Sequence, residues 1–295
     1  MNCQSIPISM PDESWTALGN AAARATETQR ADRLFSDHLA QHFVAAAGST
    51  NPFSVEKTTT LGESARRADI MVMIGDVIAI KTRFFDEYFH RVCAAGCRQV
   101  IVLAAGLDTR AFRLDWPADV RLFEVDLPAV LEFKEQVLID QAARPTCERI
   151  VVHADLRGGW ASALRNAGVD PGQPTAWLAE GILGALTAAD CDRLLDEVNM
   201  LSGPWSWFAL DHTHDGWVAA PRLQPFFVGT GISLNDIVKG GPTDPADLWL
   251  IRHGWLPTIY DVVRQAAAYG RPTPALFRGD RQEHGRILFQ AQRTG

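Results

Sequence analysis

Four residues stand where a short apolar run gives way to a polar turn. Gly106 follows Gln99–Leu103, Asp126 follows Val120–Phe123, Asp155 follows Arg149–Val152 and Glu180 follows Thr175–Ala179. A carboxylate in such a place can accept hydrogen bonds from ribose hydroxyls or a nucleobase amino group, or attract a cation. A glycine there lets a ligand come close to the backbone. The first turn, Leu103–Arg110, carries one glycine where dinucleotide sites use three, so it makes no pyrophosphate cradle. Asp126 lies 20 residues past Gly106, the interval at which a carboxylate meets ribose hydroxyls. Each acid also has a plainer reading, Asp126 as a carboxylate favoured at a helix N-terminus and Asp155 as a cap or surface acid.

Three strand-end carboxylates without a phosphate cradle suit a nucleoside that carries positive charge. S-adenosylmethionine fits that description better than a dinucleotide does. One further cluster, Asp211-His-Thr-His-Asp215, could supply a general base at His212 or His214, because imidazole moves protons near neutral pH. A metal is the weaker alternative for it, and a polar capping loop is the reading preferred here.

The elements that position these residues follow from periodicity. The apolar runs recur at intervals of 20 to 31 residues, continuing through Trp205–Leu210 to Asp211, which is the beat of strand, crossover helix and strand. Pro128 suits the first turn of a helix bearing Val130, Phe133, Val137 and Leu138, and Thr187 with Asp190 forms a capping box ahead of Leu194. Arg286–Gln290 reads as a late strand. Residues 1–97 read as helical: Ala21–Val44 as one helix broken at Asn51-Pro52, then Asp69–Cys93 as one or two more. The expected fold is therefore α/β, a doubly wound and mostly parallel sheet, preceded by an N-terminal helical region.

Bulk properties remove several classes. A net charge of −7 repels phosphate backbones and argues against a nucleic-acid partner. Lysine occurs only at Lys57, Lys81, Lys134 and Lys239. The 5 scattered cysteines form no disulfide framework and no zinc site, and Cys93 and Cys97 share helix-neighbour spacing. The opening residues lack the basic and apolar segments expected of a signal peptide, and Ile70–Ile80 is too short to span a bilayer. A cytoplasmic location without membrane association is expected.

Arg98-Gln-Val-Ile-Val-Leu-Ala-Ala-Gly-Leu-Asp-Thr-Arg-Ala-Phe-Arg-Leu114 resembles the first strand and loop of the leucine carboxyl methyltransferase family. The likeness is to its bacterial branch of S-adenosylmethionine-dependent O-methyltransferases, which includes polyketide-tailoring enzymes. Phe123–Pro128, Ala154–Arg157 and Trp177–Gly181 are similar to its later motifs, as are Arg24–Arg30, Thr82-Arg83 and Tyr269–Arg271. The resemblance implies a class I methyltransferase with a seven-stranded, Rossmann-like sheet. It implies a cap or lid over 1–97, a cofactor domain over 98–295 and an acceptor-pocket insertion around 212–250. It gives Asp126 and Leu127 to the ribose, Asp155 and Leu156 to the adenine, and Ala104 and Gly106 to the methionine portion. Glu180 would meet the amino group and Arg83 the carboxylate. The family commonly has Gly-x-Gly where Ala104 and Gly106 stand, so Ala104 carries a strain if its φ is positive.

The implied acceptor is a small, apolar or aromatic molecule methylated on a carboxylate or hydroxyl oxygen, as in secondary metabolism. A nicotinamide-dependent oxidoreductase and a non-catalytic cofactor-binding protein are the alternatives. The acceptor and the oligomeric state stay open.

Overall fold

The computed structural model describes residues 15–48, 61–212, 238–278 and 286–293. His214 and most of the 212–250 region lie outside these residues.

Two helices lead, α1 (Trp15–Thr28) and α2 (Ala40–Ala47), followed by the long α3 (Leu61–Ala94). The sheet strands are β1 (Gln99–Leu103), β2 (Arg121–Asp126), β3 (Glu148–His153), β4 (Thr175–Ala179), β5 (Trp207–Asp211), β6 (Trp255–Asp261) and β7 (Arg286–Arg293). Between them lie α4 (Arg110–Arg113), α5 (Pro128–Asp140), α6 (Trp160–Asn166), α7 (Ala188–Met200), α8 (Ala246–Arg252) and α9 (Val262–Ala268). Pro128 opens α5, and the Thr187–Asp190 capping box closes reciprocally at the start of α7, both as the sequence indicates.

The strand order is β3-β2-β1-β4-β5-β7-β6. β1 to β5 run parallel in register, and β7 enters antiparallel between β5 and β6. The sheet is thus doubly wound and mostly parallel, reversing its winding between β1 and β4. Pro257 in β6 has no N–H to donate, which an edge strand tolerates.

Alternation along each strand sends side chains to two cores. Ile101, Leu103, Phe123 and Trp177 meet Trp160, Leu194, Trp249 and Trp255 on one face. Val100, Val102, Leu122 and Leu178 meet Phe85, Phe89 and Val92 of α3, with Val262 and Ala266 of α9, on the other. A third, smaller core joins Leu18, Phe43, Leu107, Phe133 and Val137, and holds α1 and α2 against α5 and the β1–α4 loop.

The expectation of one helix over Ala21–Val44 is corrected. The chain leaves helix after Thr28, because the Thr28 hydroxyl accepts the Asp37 N–H at 2.8 Å and Asp37 Oδ1 takes the Ala40 N–H at 3.1 Å. Asp69–Cys93 falls within the single helix α3. No described helix is long and apolar enough to cross a membrane.

Candidate active-site cleft

Parallel strands end on one edge of the sheet, and crossover loops leave that edge open where the winding reverses. A cleft opens there between β1 and β4, beneath α1. Ala104, Gly106, Asp126, Leu127, Asp155, Leu156 and Glu180 all line it. Residues ending four different strands are thus gathered into one site.

Asp126 is fixed in it by two backbone donors. Oδ2 accepts the Gly106 N–H at 2.5 Å and Oδ1 accepts the Leu127 N–H at 2.7 Å. Burial raises its carboxyl above the usual range in spite of those two donors. Each oxygen keeps a second lone-pair direction, enough for a vicinal diol. Gly106 has φ +48°, and a Cβ on it would stand 3.2 Å from the Ala17 Cβ of α1. Both its backbone angle and the helix passing over it favour glycine here. Ala104 has φ +47°, so the turn does hold an alanine in the left-handed region.

Asp155 is partly exposed and receives Arg157, whose Nη2 lies 2.7 Å from Oδ2, and this bond holds its carboxyl below the usual range. Glu180 sits at the end of a chain of charges. Arg110 Nη2 donates to its Oε2 at 3.1 Å, and Lys81 Nζ lies 4.0 Å from Oε1. Lys81 also donates to Asp211 Oδ2 at 2.7 Å, while Asp211 Oδ1 accepts the Gly181 N–H at 2.7 Å. Burial opposes the Lys81 charge, and Asp211 and Glu180 outweigh it, so its pKa is raised. Arg110 further pairs with Asp86 at 2.8 Å and closely with Asp108.

Two predicted residues are placed elsewhere. Arg83 does not line the cleft; it lies nearly half exposed, donating to Glu87 Oε1 at 2.8 Å and the Leu34 carbonyl at 3.2 Å. His212 is buried outside the cleft lining, its ring beside Gly241, and its backbone N–H bonds the Ile287 carbonyl at 3.0 Å. Two guanidinium-bearing residues do line the cleft, Arg157 beside Asp155 and Arg24 of α1. Arg24 is the one on the α1 side. Its Nη2 donates to the Leu107 carbonyl at 2.6 Å and its Nε to Asp37 Oδ2 at 2.8 Å. Asp37 also accepts the Thr109 hydroxyl at 2.7 Å, which ties α1 to the loop after β1. Sequence reasoning marked Arg24 only as the start of a family-like segment. Asp108, also in the cleft, it passed over.

The strand order, the reversed β7 and a ligand cleft at the winding reversal define a class I, Rossmann-like methyltransferase fold. Residues 17–199 match the leucine carboxyl methyltransferase family, and the chain belongs to that family. A protein of Parafrankia sp. is 44% identical over 263 residues, covering 88% of this chain and 82% of the relative. One of Saccharopolyspora erythraea is 47% identical over 266 residues, covering 87% and 88%. Both carry the name "Putative S-adenosyl-L-methionine-dependent methyltransferase". Among solved structures, a duf574 family protein of Streptomyces avermitilis superimposes with TM-score 0.51 at 16% identity, over 93% of this chain and 97% of that one. That likeness speaks to the fold. Membership of a methyltransferase family sets the oxidoreductase alternative aside.

Proposed function

We propose that the cleft binds S-adenosylmethionine and that the chain transfers its methyl group to an oxygen atom of a small acceptor, a carboxylate in preference to a hydroxyl. The observation that carries this reading is the meeting of Asp126, Asp155 and Glu180 around the Gly106 turn in one cleft.

The residues fit the cofactor part by part. Asp126 takes the two ribose hydroxyls on its free lone pairs, with Leu127 alongside. Asp155 accepts from the adenine amino group beside Leu156, sharing its carboxylate with Arg157. Glu180 faces the ammonium, while Ala104 and Gly106 pass beneath the methionine chain. Arg24, rather than Arg83, offers the guanidinium for the carboxylate. When bound, the cofactor supplies a methyl group activated by a sulfonium. α1 borders the cleft with Thr16, Ala17, Asn20 and Arg24, and Ile182, Ala185 and Leu186 give the acceptor an apolar wall.

Alignment is the chain's main contribution, and holding two reactants in line is worth about 7–11 kcal/mol. A carboxylate acceptor is ionised at neutral pH and needs no base. The burial of His212 outside the cleft lining agrees with that preference. The test is incubation with methyl-labelled S-adenosylmethionine and a panel of aromatic and aliphatic carboxylic acids, phenols and alcohols. Label should appear in a product from which mild alkali releases methanol. An alkali-stable product would move the acceptor to a hydroxyl, and methylation on nitrogen, sulfur or carbon would overturn the oxygen assignment.

A further inference from the structure

The three segments that resemble the family but lie outside the cleft's carboxylate set, 24–30, 82–83 and 269–271, meet in space. Glu27, in the last turn of α1, is 5% exposed. Its Oε1 accepts the Leu34 N–H at 2.7 Å and a short bond from Arg271 Nη2, and its Oε2 lies 3.5 Å from Arg30. Arg271 Nη2 also donates to the Asp32 carbonyl at 2.7 Å, and Nη1 lies 3.1 Å from Asp32 Oδ2. One buried guanidinium thus spans the end of α1 and the irregular stretch after it. Beside it, Tyr269 donates to Glu87 at 2.8 Å, and Glu87 in turn holds Arg83, which reaches the Leu34 carbonyl.

Glu27 stands one helical turn beyond Arg24. Arg24, Asn20, Ala17 and Thr16 all line the cleft. Whatever fixes Glu27 therefore fixes the face of α1 that lies on the ligand. We propose that Arg271 and Glu27 form a latch that fastens α1 over the cleft and so sets the affinity for the bound nucleoside. Arg271 does not line the cleft; it is a positioning residue that acts through Glu27 and the helix. The link to nucleoside affinity rests on the cofactor reading above, whereas the fastening of α1 does not.

A buried ion pair has a recognisable signature in mutants. Removing one partner leaves the other largely desolvated with only its remaining neighbour, Arg30 for Glu27 and Asp32 for Arg271, so each single variant is costly while the double variant adds little. The experiment uses the full chain as wild type, Arg271→Met, Arg271→Lys, Glu27→Gln and the double variant Glu27→Gln/Arg271→Met, all well below their unfolding midpoints. Hydrogen exchange without ligand reads the latch directly. In Arg271→Met the amides of α1 should exchange at least tenfold faster, with those of β1 and β4 unchanged. Calorimetry with S-adenosylhomocysteine reads its consequence. Each of Arg271→Met and Glu27→Gln should weaken binding at least tenfold, the double variant no more than the worse single one, and Arg271→Lys should fall between Arg271→Met and wild type. Unchanged exchange in α1 overturns the latch, as does acceleration spread equally over the sheet, which would mark a general loss of stability. Faster α1 exchange with affinity held within twofold overturns its role in binding. A wild type that fails to bind S-adenosylhomocysteine, alongside a positive exchange result, overturns the cofactor reading and leaves the fastening of α1 standing.

Discussion

Asp126 Oδ2 accepts the Gly106 N–H at 2.5 Å, so the carboxylate ending β2 and the turn after β1 behave as one rigid piece. In the proposed reading this bond couples the acid assigned to the ribose with the turn assigned to the methionine portion.

Asp126→Ala should consequently cost more than its ribose contacts alone. Two bonds to a charged acceptor are worth about 1.5–3 kcal/mol each. The variant should weaken S-adenosylhomocysteine binding at least a hundredfold while the protein stays folded. Calorimetry beside circular dichroism checks both halves, and binding within twofold of wild type would withdraw the assignment.

Ala104 sits at φ +47°, where an L-residue with a Cβ is strained by about 1–2 kcal/mol. Glycine relieves that strain but loses more entropy on folding, by about 0.4–1 kcal/mol. Ala104→Gly should thus stabilise the protein by about 0–1.6 kcal/mol in urea unfolding, with cofactor affinity equal or tighter. A loss of stability would show that the Ala104 methyl makes contacts worth more than its backbone strain.

Asp108 supplies a pH prediction. Burial alone would raise its carboxyl, but the Arg110 guanidinium, with help from Lys134 and the Arg110 N–H, holds it at about 2 against an ordinary 3.8. A folded value below the unfolded one adds stability that is present above about pH 4 and lost as the pH falls toward 2. That contribution is on the order of 2 kcal/mol. Asp108→Asn should lower stability at neutral pH by about that amount and flatten the acid limb between pH 4 and 2. Parallel acid limbs in variant and wild type would contradict the assignment.

His212→Ala tests the acceptor preference. A general base is worth about 10²–10⁴-fold. With a carboxylate acceptor the variant should retain methyl transfer within about tenfold at every pH from 6 to 9. A loss of a hundredfold or more, partly restored by raising the pH, would return His212 to the chemistry and favour a hydroxyl acceptor.

The convergence of these residues on one cleft was legible because strand ends are local events. An apolar run that stops at Asp126, Asp155 or Glu180 places its acid on the carboxyl edge whatever the rest of the chain does. Long-range packing was not legible in the same way. Arg24 and Arg83 both lie on helical segments and both resemble family positions, and nothing local says which faces the cleft. That is settled by how α1 crosses the β1–α4 loop, with Arg24 bonding the Leu107 carbonyl 83 residues away. The break between α1 and α2 was hidden for a related reason. Leu34, Phe35 and Leu39 keep a helical rhythm, but the bonds Asp37 makes with Thr28, Arg24 and Thr109 override it.

The placement of β7 also governs how the chain can be made. β6 precedes β7 in sequence, yet its sheet partner is β7 alone, and β7 must enter between β5 and β6. On the ribosome, β1 to β5 can pair as they emerge, whereas β6 waits without a strand beside it until residues 286–293 have left the exit tunnel. During that interval two strand edges stand open, the kind of surface that recruits other chains. Closure of the sheet is therefore a late, long-range step in biosynthesis, and a ribosome stalled within the 262–285 stretch would hold a nascent chain whose cleft-lining half is built and whose far edge is still unpaired.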